Sequence, residues 1–174
     1  ALPVLFASQK VIGTGRASGT QSKQLSLIDQ RELMVAETPS ADRTLVITRL
    51  LDAPRSLVFS VWTRPDHLIR WWGPKDFTSP FCETVYRVGG AYRYCMRGPD
   101  GVDYWVWGVY REIIEPERIV FTWCREDAAG NPIPESMVTV MLAEHGANQT
   151  MLTLEHTNVT TVEDCDEHNV GWTE

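Results

Sequence analysis

Positive charge is scarce in this sequence: 16 Lys+Arg stand against 23 Asp+Glu, for a net charge of −7. Nucleic acids and anionic lipid surfaces are held by clustered basic side chains, so neither is expected as a partner. Long apolar runs are also missing. None approaches the roughly 18 residues that a membrane-spanning helix needs. The opening ALPVLFAS is apolar but lacks the charged stretch that begins a secretory signal, so the chain is expected to be cytoplasmic. Asn148-Gln149-Thr150 and Asn158-Val159-Thr160 match the glycosylation pattern, which has no meaning without export.

Cysteine is sparse and scattered. Cys82, Cys95, Cys124 and Cys165 form no C-x-x-C pair, which removes zinc ribbons and thioredoxin-type sites. They read as small buried hydrophobes in a reducing compartment. No G-x-S-x-G elbow and no internal repeat is present. Gly13-Thr14-Gly15 with Gly19 departs from dinucleotide-loop spacing, and no βαβ unit surrounds it. Cys165, His156 and His168 with their neighbouring glutamates match no zinc spacing. No cofactor and no metal are therefore expected.

Residues 1–42 read as a flexible leader. Residues 8–24 are rich in Gly, Ser, Thr and Gln, and bury too little to offset their ordering entropy. Residues 25–37 could form a short helix that Pro39 ends. From Arg43 the patterns sharpen. Thr44 to Leu51 is β-branched and apolar, a strand that Asp52-Ala53-Pro54 stops. Pro54 suits the first turn of a helix whose stripe is Leu57, Val58, Val61 and Trp62. A second short helix is expected with Thr63 as its cap, Asp66 as the capping-box acid, and Gly73-Pro74 as its end. Six further strands follow between tight turns, which implies an antiparallel meander. Thr161 to Asp164 opens a last helix with a capping box.

Of what is present, seven tryptophans stand out. Trp62, Trp71, Trp72, Trp123 and Trp172 fall within the runs LLDAPRSLVFSVWTRPDHLIRWWGP, RVGG, GVYREIIEPERIVFTW, TLEH and GW. In order and spacing, over residues 43–174, these runs resemble the AHSA1-like (activator of Hsp90 ATPase homologue) group of the START/Bet v 1-like (SRPBCC) superfamily. The resemblance implies an α+β helix-grip fold. A curved antiparallel seven-stranded sheet, with two short helices, wraps a C-terminal helix and leaves a cavity between them. Relatives carry that helix well past Gly171-Trp172, so here it is expected to be cut short. Many also carry an acid where Val85 stands, two residues before the arginine of RVGG.

A cavity of this kind is lined by alternate side chains of each strand. The candidate ligand-binding residues are Trp71, Trp72, Phe77, Tyr92, Tyr94, Trp105, Trp107, Phe121 and Trp123, whose rings suit a flat apolar ligand. Each could equally be core packing. Trp105 and Trp107, outside the family runs, are expected to distinguish this cavity. Glu112 joins the candidates as an anchor or general acid, the alternative being a strand residue paired with Arg111 or Arg118. Arg87 and Arg93 flank Gly89-Gly90 and read as surface ion-pairing residues.

Three functions follow from the resemblance. The first is binding of a hydrophobic small molecule. The second is regulation of a chaperone ATPase, which is not expected because the leader cannot be the separate N-terminal domain such activators carry. The third is cyclase- or hydrolase-like catalysis, for which Glu112 with a neighbouring ring is the candidate. Whether two copies form a homodimer is open at this level.

Overall fold

The computed structural model describes residues 43–127, 129–146 and 148–173. The leader and its helix at 25–37 lie outside the described residues. Ten elements follow in order: strand β1 (Leu45–Leu51), helices α1 (Arg55–Thr63) and α2 (Pro65–Leu68), then strands β2 (Thr78–Thr84) and β3 (Ala91–Arg97). Strands β4 (Asp103–Ile114), β5 (Arg118–Arg125), β6 (Ser136–His145) and β7 (Gln149–Thr157) complete the sheet, and helix α3 (Val162–Thr173) ends the chain.

The sheet is antiparallel, with order β1-β7-β6-β5-β4-β3-β2. Six strands meander as their short connections require. β1 then pairs with β7, Leu45 opposite His156 and Leu51 opposite Thr150. The segment through α1 and α2 therefore crosses from one sheet edge to the other. Its helices cover one face, here termed inner.

Period-two alternation determines what that face carries. Val138, Val140 and Leu142 of β6 and Leu152 and Leu154 of β7 point inward and are buried. α1 and α3 rest on this half of the sheet, over β6, β7 and β1. Leu45, Ile47, Val159 and Cys165 form a satellite cluster under α3, with Trp172 packed against it.

Two details differ from the sequence reading. The buried side of α1 is Val58, Phe59 and Thr63, with Trp62 half-buried, while Leu57 is 49% exposed. The stripe is shifted by one residue, about 100° of rotation, and Phe59 takes the place expected for Leu57. Thr63 does not cap α2. Its hydroxyl donates back to the Phe59 carbonyl at 3.0 Å, Arg64 occupies the cap position, and Asp66 pairs with Arg64. The cap of α3 forms as expected on one side: the Asp164 N–H donates to Thr161 Oγ1 at 3.0 Å. The Asp164 carboxylate instead meets Arg125 at 2.6 Å.

Candidate functional site

The other half of the inner face, over β3, β4 and β5, is built from rings. β3 contributes Tyr92 and Tyr94, β4 Tyr110, and β5 Phe121 and Trp123, all buried. The cross-strand register explains why they share a face. Tyr92 lies opposite Gly108, Tyr94 opposite Val106, and Tyr110 opposite Phe121. Directly opposed residues project to the same side.

Two glycines make room for this arrangement. A Cβ on Gly108 would sit 2.0 Å from the Thr122 carbonyl oxygen, and that carbonyl accepts the Tyr92 hydroxyl at 2.7 Å. The RVGG turn docks on β4 through a backbone pair, Gly89 N–H to the Tyr110 carbonyl and Tyr110 N–H to the Gly90 carbonyl. A Cβ on Gly90 would lie 1.8 Å from the Val85 carbonyl oxygen. The turn thereby places Tyr86 beside Tyr110, ring centroids 5.3 Å apart.

Over these strands the roof is made of side chains. Trp62 from α1, Trp71 and Trp72 from the turn after α2, and Trp172 from α3 meet edge to face, tilted or stacked at 4.8–6.2 Å between centroids. Trp72 also stands against Tyr94 at 4.7 Å and Trp123 at 5.8 Å. Beneath this roof lies a small pocket with a free volume of about 10 Å³. Trp62 and Trp72 close it from above; Tyr92, Tyr94, Tyr110, Ile119 and Phe121 form its floor.

The polar atoms of the pocket are few. Tyr110 Oη shares hydrogen bonds with Thr84 Oγ1 at 2.9 Å and Tyr94 Oη at 3.2 Å. Burial pushes the Tyr92, Tyr94 and Tyr110 phenols above their ordinary range, so they stay protonated and serve as neutral donors. Trp72 Nε1–H is buried and has no acceptor among the described residues, and the same holds for Trp123 Nε1–H and the Tyr86 hydroxyl. A buried donor without a partner costs about 1–3 kcal/mol.

A second polar group adjoins Trp123. The fully buried His156 places Nε2 2.8 Å from Ser136 Oγ, while its Nδ1 accepts from Trp172 Nε1 at 3.3 Å. An indole nitrogen only donates, so Nδ1 must be the acceptor and Nε2 must carry the proton. Ser136 in turn donates to the Trp123 carbonyl at 3.3 Å. The Ser–His contact is thus oriented the wrong way for His156 to take the serine proton. Burial holds the His156 pKa down at about 3, aided by His168 and Arg125. The two imidazoles meet at 4.5 Å, and His168 Nδ1 donates to the Asp164 carbonyl at 2.6 Å. β7 and α3 thus meet through these rings, and among the described residues no group of three or more His, Cys, Asp or Glu side chains is arranged to hold a metal.

Six of the ten candidates, Trp71, Trp72, Tyr92, Tyr94, Phe121 and Trp123, belong to the inner aromatic cluster. Four do not. Trp105 and Trp107 pair with Cys95 and Arg93 across β3 and lie on the outer face, where Arg93 stacks over Trp105 at 4.2 Å and Phe81 packs on it at 5.4 Å. Phe77 packs against Tyr104 at 5.7 Å, away from the pocket. Glu112 is turned outward by a bulge: the register shifts after Tyr110, so Glu112 faces Val120 and Ile113 takes the inward position opposite Ile119. Its carboxylate meets Arg118 at 3.2 Å. The pocket residues the candidate set lacked are Trp62, Tyr110 and Ile119. Tyr110 shares its parity with Gly108, but only the pairing of Gly108 with Tyr92 shows that this parity faces inward.

A family model described as activator of Hsp90 ATPase homolog 1-like protein matches residues 52–174. No curated protein matches the chain. Among solved structures, an AHSA1 protein from Silicibacter pomeroyi is similar at 25% identity and a TM-score of 0.67, covering 75% of this chain and 90% of that one. A protein from Arthrobacter aurescens shares 30% identity at a TM-score of 0.63, covering 74% and 75%. A protein from Nitrosomonas europaea, at 23% identity and 0.64, covers 77% and 89% and speaks to the fold alone. Motif order, sheet topology and these matches converge, and the chain belongs to the AHSA1-like family of the SRPBCC, Bet v 1-like fold.

Proposed function

We propose that the domain binds a small, flat, largely apolar molecule against the aromatic floor of β3–β5. One observation carries this reading. The helices come closest to the sheet away from the pocket: α1 over β6 and β7, α3 over β1, and α2 over β2. Over the pocket itself the roof is the Trp62 and Trp72 side chains, and Trp62 and its neighbour Trp71 are only half-buried. Side chains change rotamer within nanoseconds when exposed, whereas a packed helix moves collectively and far more slowly. A guest is admitted by displacing rings, and the displaced surface is replaced by ring-on-ring contact with the guest. The neutral phenols and indoles fit recognition of a neutral molecule.

The test is titration of the full chain with 2-isopropenylnaphthalene, followed by tryptophan fluorescence. A saturable quench is expected, with Kd raised at least tenfold by Ile119→Trp, which fills the floor. A strictly linear response up to the solubility limit to this probe and to its ketone analogue 2-acetylnaphthalene alike, in the intact protein, overturns the reading.

A further inference from the structure

Resting on that pocket, the question is which chemistry it selects. Three hydroxyls, Thr84, Tyr110 and Tyr94, are joined by two hydrogen bonds. Each hydroxyl owns one hydrogen. Whichever way the bonds run, two hydrogens are used and one O–H is left over. Tyr94 and Tyr110 line the pocket. Trp72 lines it too, is 94% buried by its 6% exposure, and carries an indole N–H with no acceptor among the described residues. The Trp72 and Tyr94 rings are in direct contact at 4.7 Å. The pocket thus holds a surplus of donors. The acceptor oxygens nearby are committed or shared: the Thr122 carbonyl takes Tyr92, and the hydroxyl oxygens receive one another.

We propose that Trp72 and the Thr84–Tyr110–Tyr94 hydroxyl chain select a guest that carries a neutral hydrogen-bond-accepting oxygen on its flat apolar body, as in an aryl ketone or quinone. A hydrocarbon of the same outline fills the same space but leaves both donors unpaired. A site that is built to hydrogen-bond an oxygen discriminates strongly against an analogue lacking it, because the penalty falls on its own buried groups. The chain of hydroxyls adds adaptability. When Thr84 donates to Tyr110, the free hydrogen is Tyr94's if Tyr110 donates onward and Tyr110's if Tyr94 also donates to it. The reverse chain would leave it on Thr84, outside the pocket lining, so a guest oxygen selects one of the first two arrangements.

The experiment compares 2-acetylnaphthalene with 2-isopropenylnaphthalene, which replaces C=O by C=CH₂ at nearly constant shape. In the wild type the ketone is expected to bind at least about tenfold more tightly than the alkene, once each Kd is corrected for the probe's water–octanol partition. Tyr94→Phe and, separately, Trp72→Phe are expected to reduce the ketone-over-alkene affinity ratio about fivefold or more, whatever change of packing each brings to both probes alike. Tyr110→Phe, which breaks the chain at its middle, serves as the third variant should either of the others fail to fold. Equal binding of both probes, or a ketone preference that survives in the variants, overturns the donor assignment while the pocket itself stands. Failure of both probes to saturate overturns the pocket and the assignment together.

Discussion

The indole N–H of Trp172 donates to Nδ1 of His156 at 3.3 Å, which assigns the proton of a fully buried imidazole to Nε2 and aims it at Ser136. The contact joins α3 to β7 through side chains. It also makes protonation of His156 unfavourable in the fold, since a second ring proton would point at another donor. This part of the site responds to acid.

The folded His156 pKa is depressed from 6.5 to about 3, so the unfolded chain binds this proton first as pH falls. The stability contribution is complete above pH 6.5 and is lost as pH drops toward 3. The expected slope is up to about 1.4 kcal/mol per pH unit for one proton. His168, also depressed by burial, acts in the same direction. Urea unfolding between pH 7 and 4 checks this: His156→Gln is expected to flatten the pH slope by about one proton, and an unchanged slope refutes the assignment.

Gly108 lies under the Tyr92 phenol with its neighbour Thr122 too close for any side chain. Gly108→Ala is expected to destabilise the domain by about 3 kcal/mol or more, because the obstruction is backbone and cannot rotate away. Tyr92→Phe, which leaves the ring and removes only the donor to the Thr122 carbonyl, is expected to cost about 1–2 kcal/mol. Denaturant midpoints of the two variants give the ranking.

Glu112 separates an anchor role from a surface ion pair. Its contact with Arg118 joins side chains that are 41% and 44% exposed, so solvent screens it. Glu112→Gln is expected to change unfolding free energy by less than about 1 kcal/mol and to leave probe affinity within about twofold. A tenfold loss of binding would return Glu112 to the pocket.

Trp62 and Trp105 offer the matching contrast between the two faces. Trp62→Leu thins the roof, and stopped-flow fluorescence is expected to show both association and dissociation of a naphthalene probe accelerated. Trp105→Leu, on the outer face, is expected to leave both rates unchanged and to cost stability only through the Arg93 stack and the Phe81 contact, on the order of 1 kcal/mol. Equal effects of the two substitutions would contradict the roof.

Much of this architecture was legible before any coordinates. The helix-grip topology followed from the resemblance of the ordered motifs, Leu50 to Trp172, to a known family, whereas turn residues marked the meander and Thr161 marked the start of α3. The meander and the start of α3 are local features, and local chemistry determines them: turn residues, a cap hydroxyl, an alternation of period two. The site was legible in Trp71 and Trp72 after α2 and in the paired alternations of Tyr92 with Tyr94 and of Phe121 with Trp123. Alternation told that Trp105 and Trp107 share a face, but not which face. That depends on β4 meeting β3 with Gly108 opposite Tyr92, and on the bulge that reverses parity between Tyr110 and Glu112. Register and bulges are properties of a pair of strands, and shifting either by one residue moves a side chain from core to solvent. The sequence alone therefore determined an aromatic-rich sheet of this family; only the pairing of its strands decided which tryptophans face inward and which donors are left without a partner.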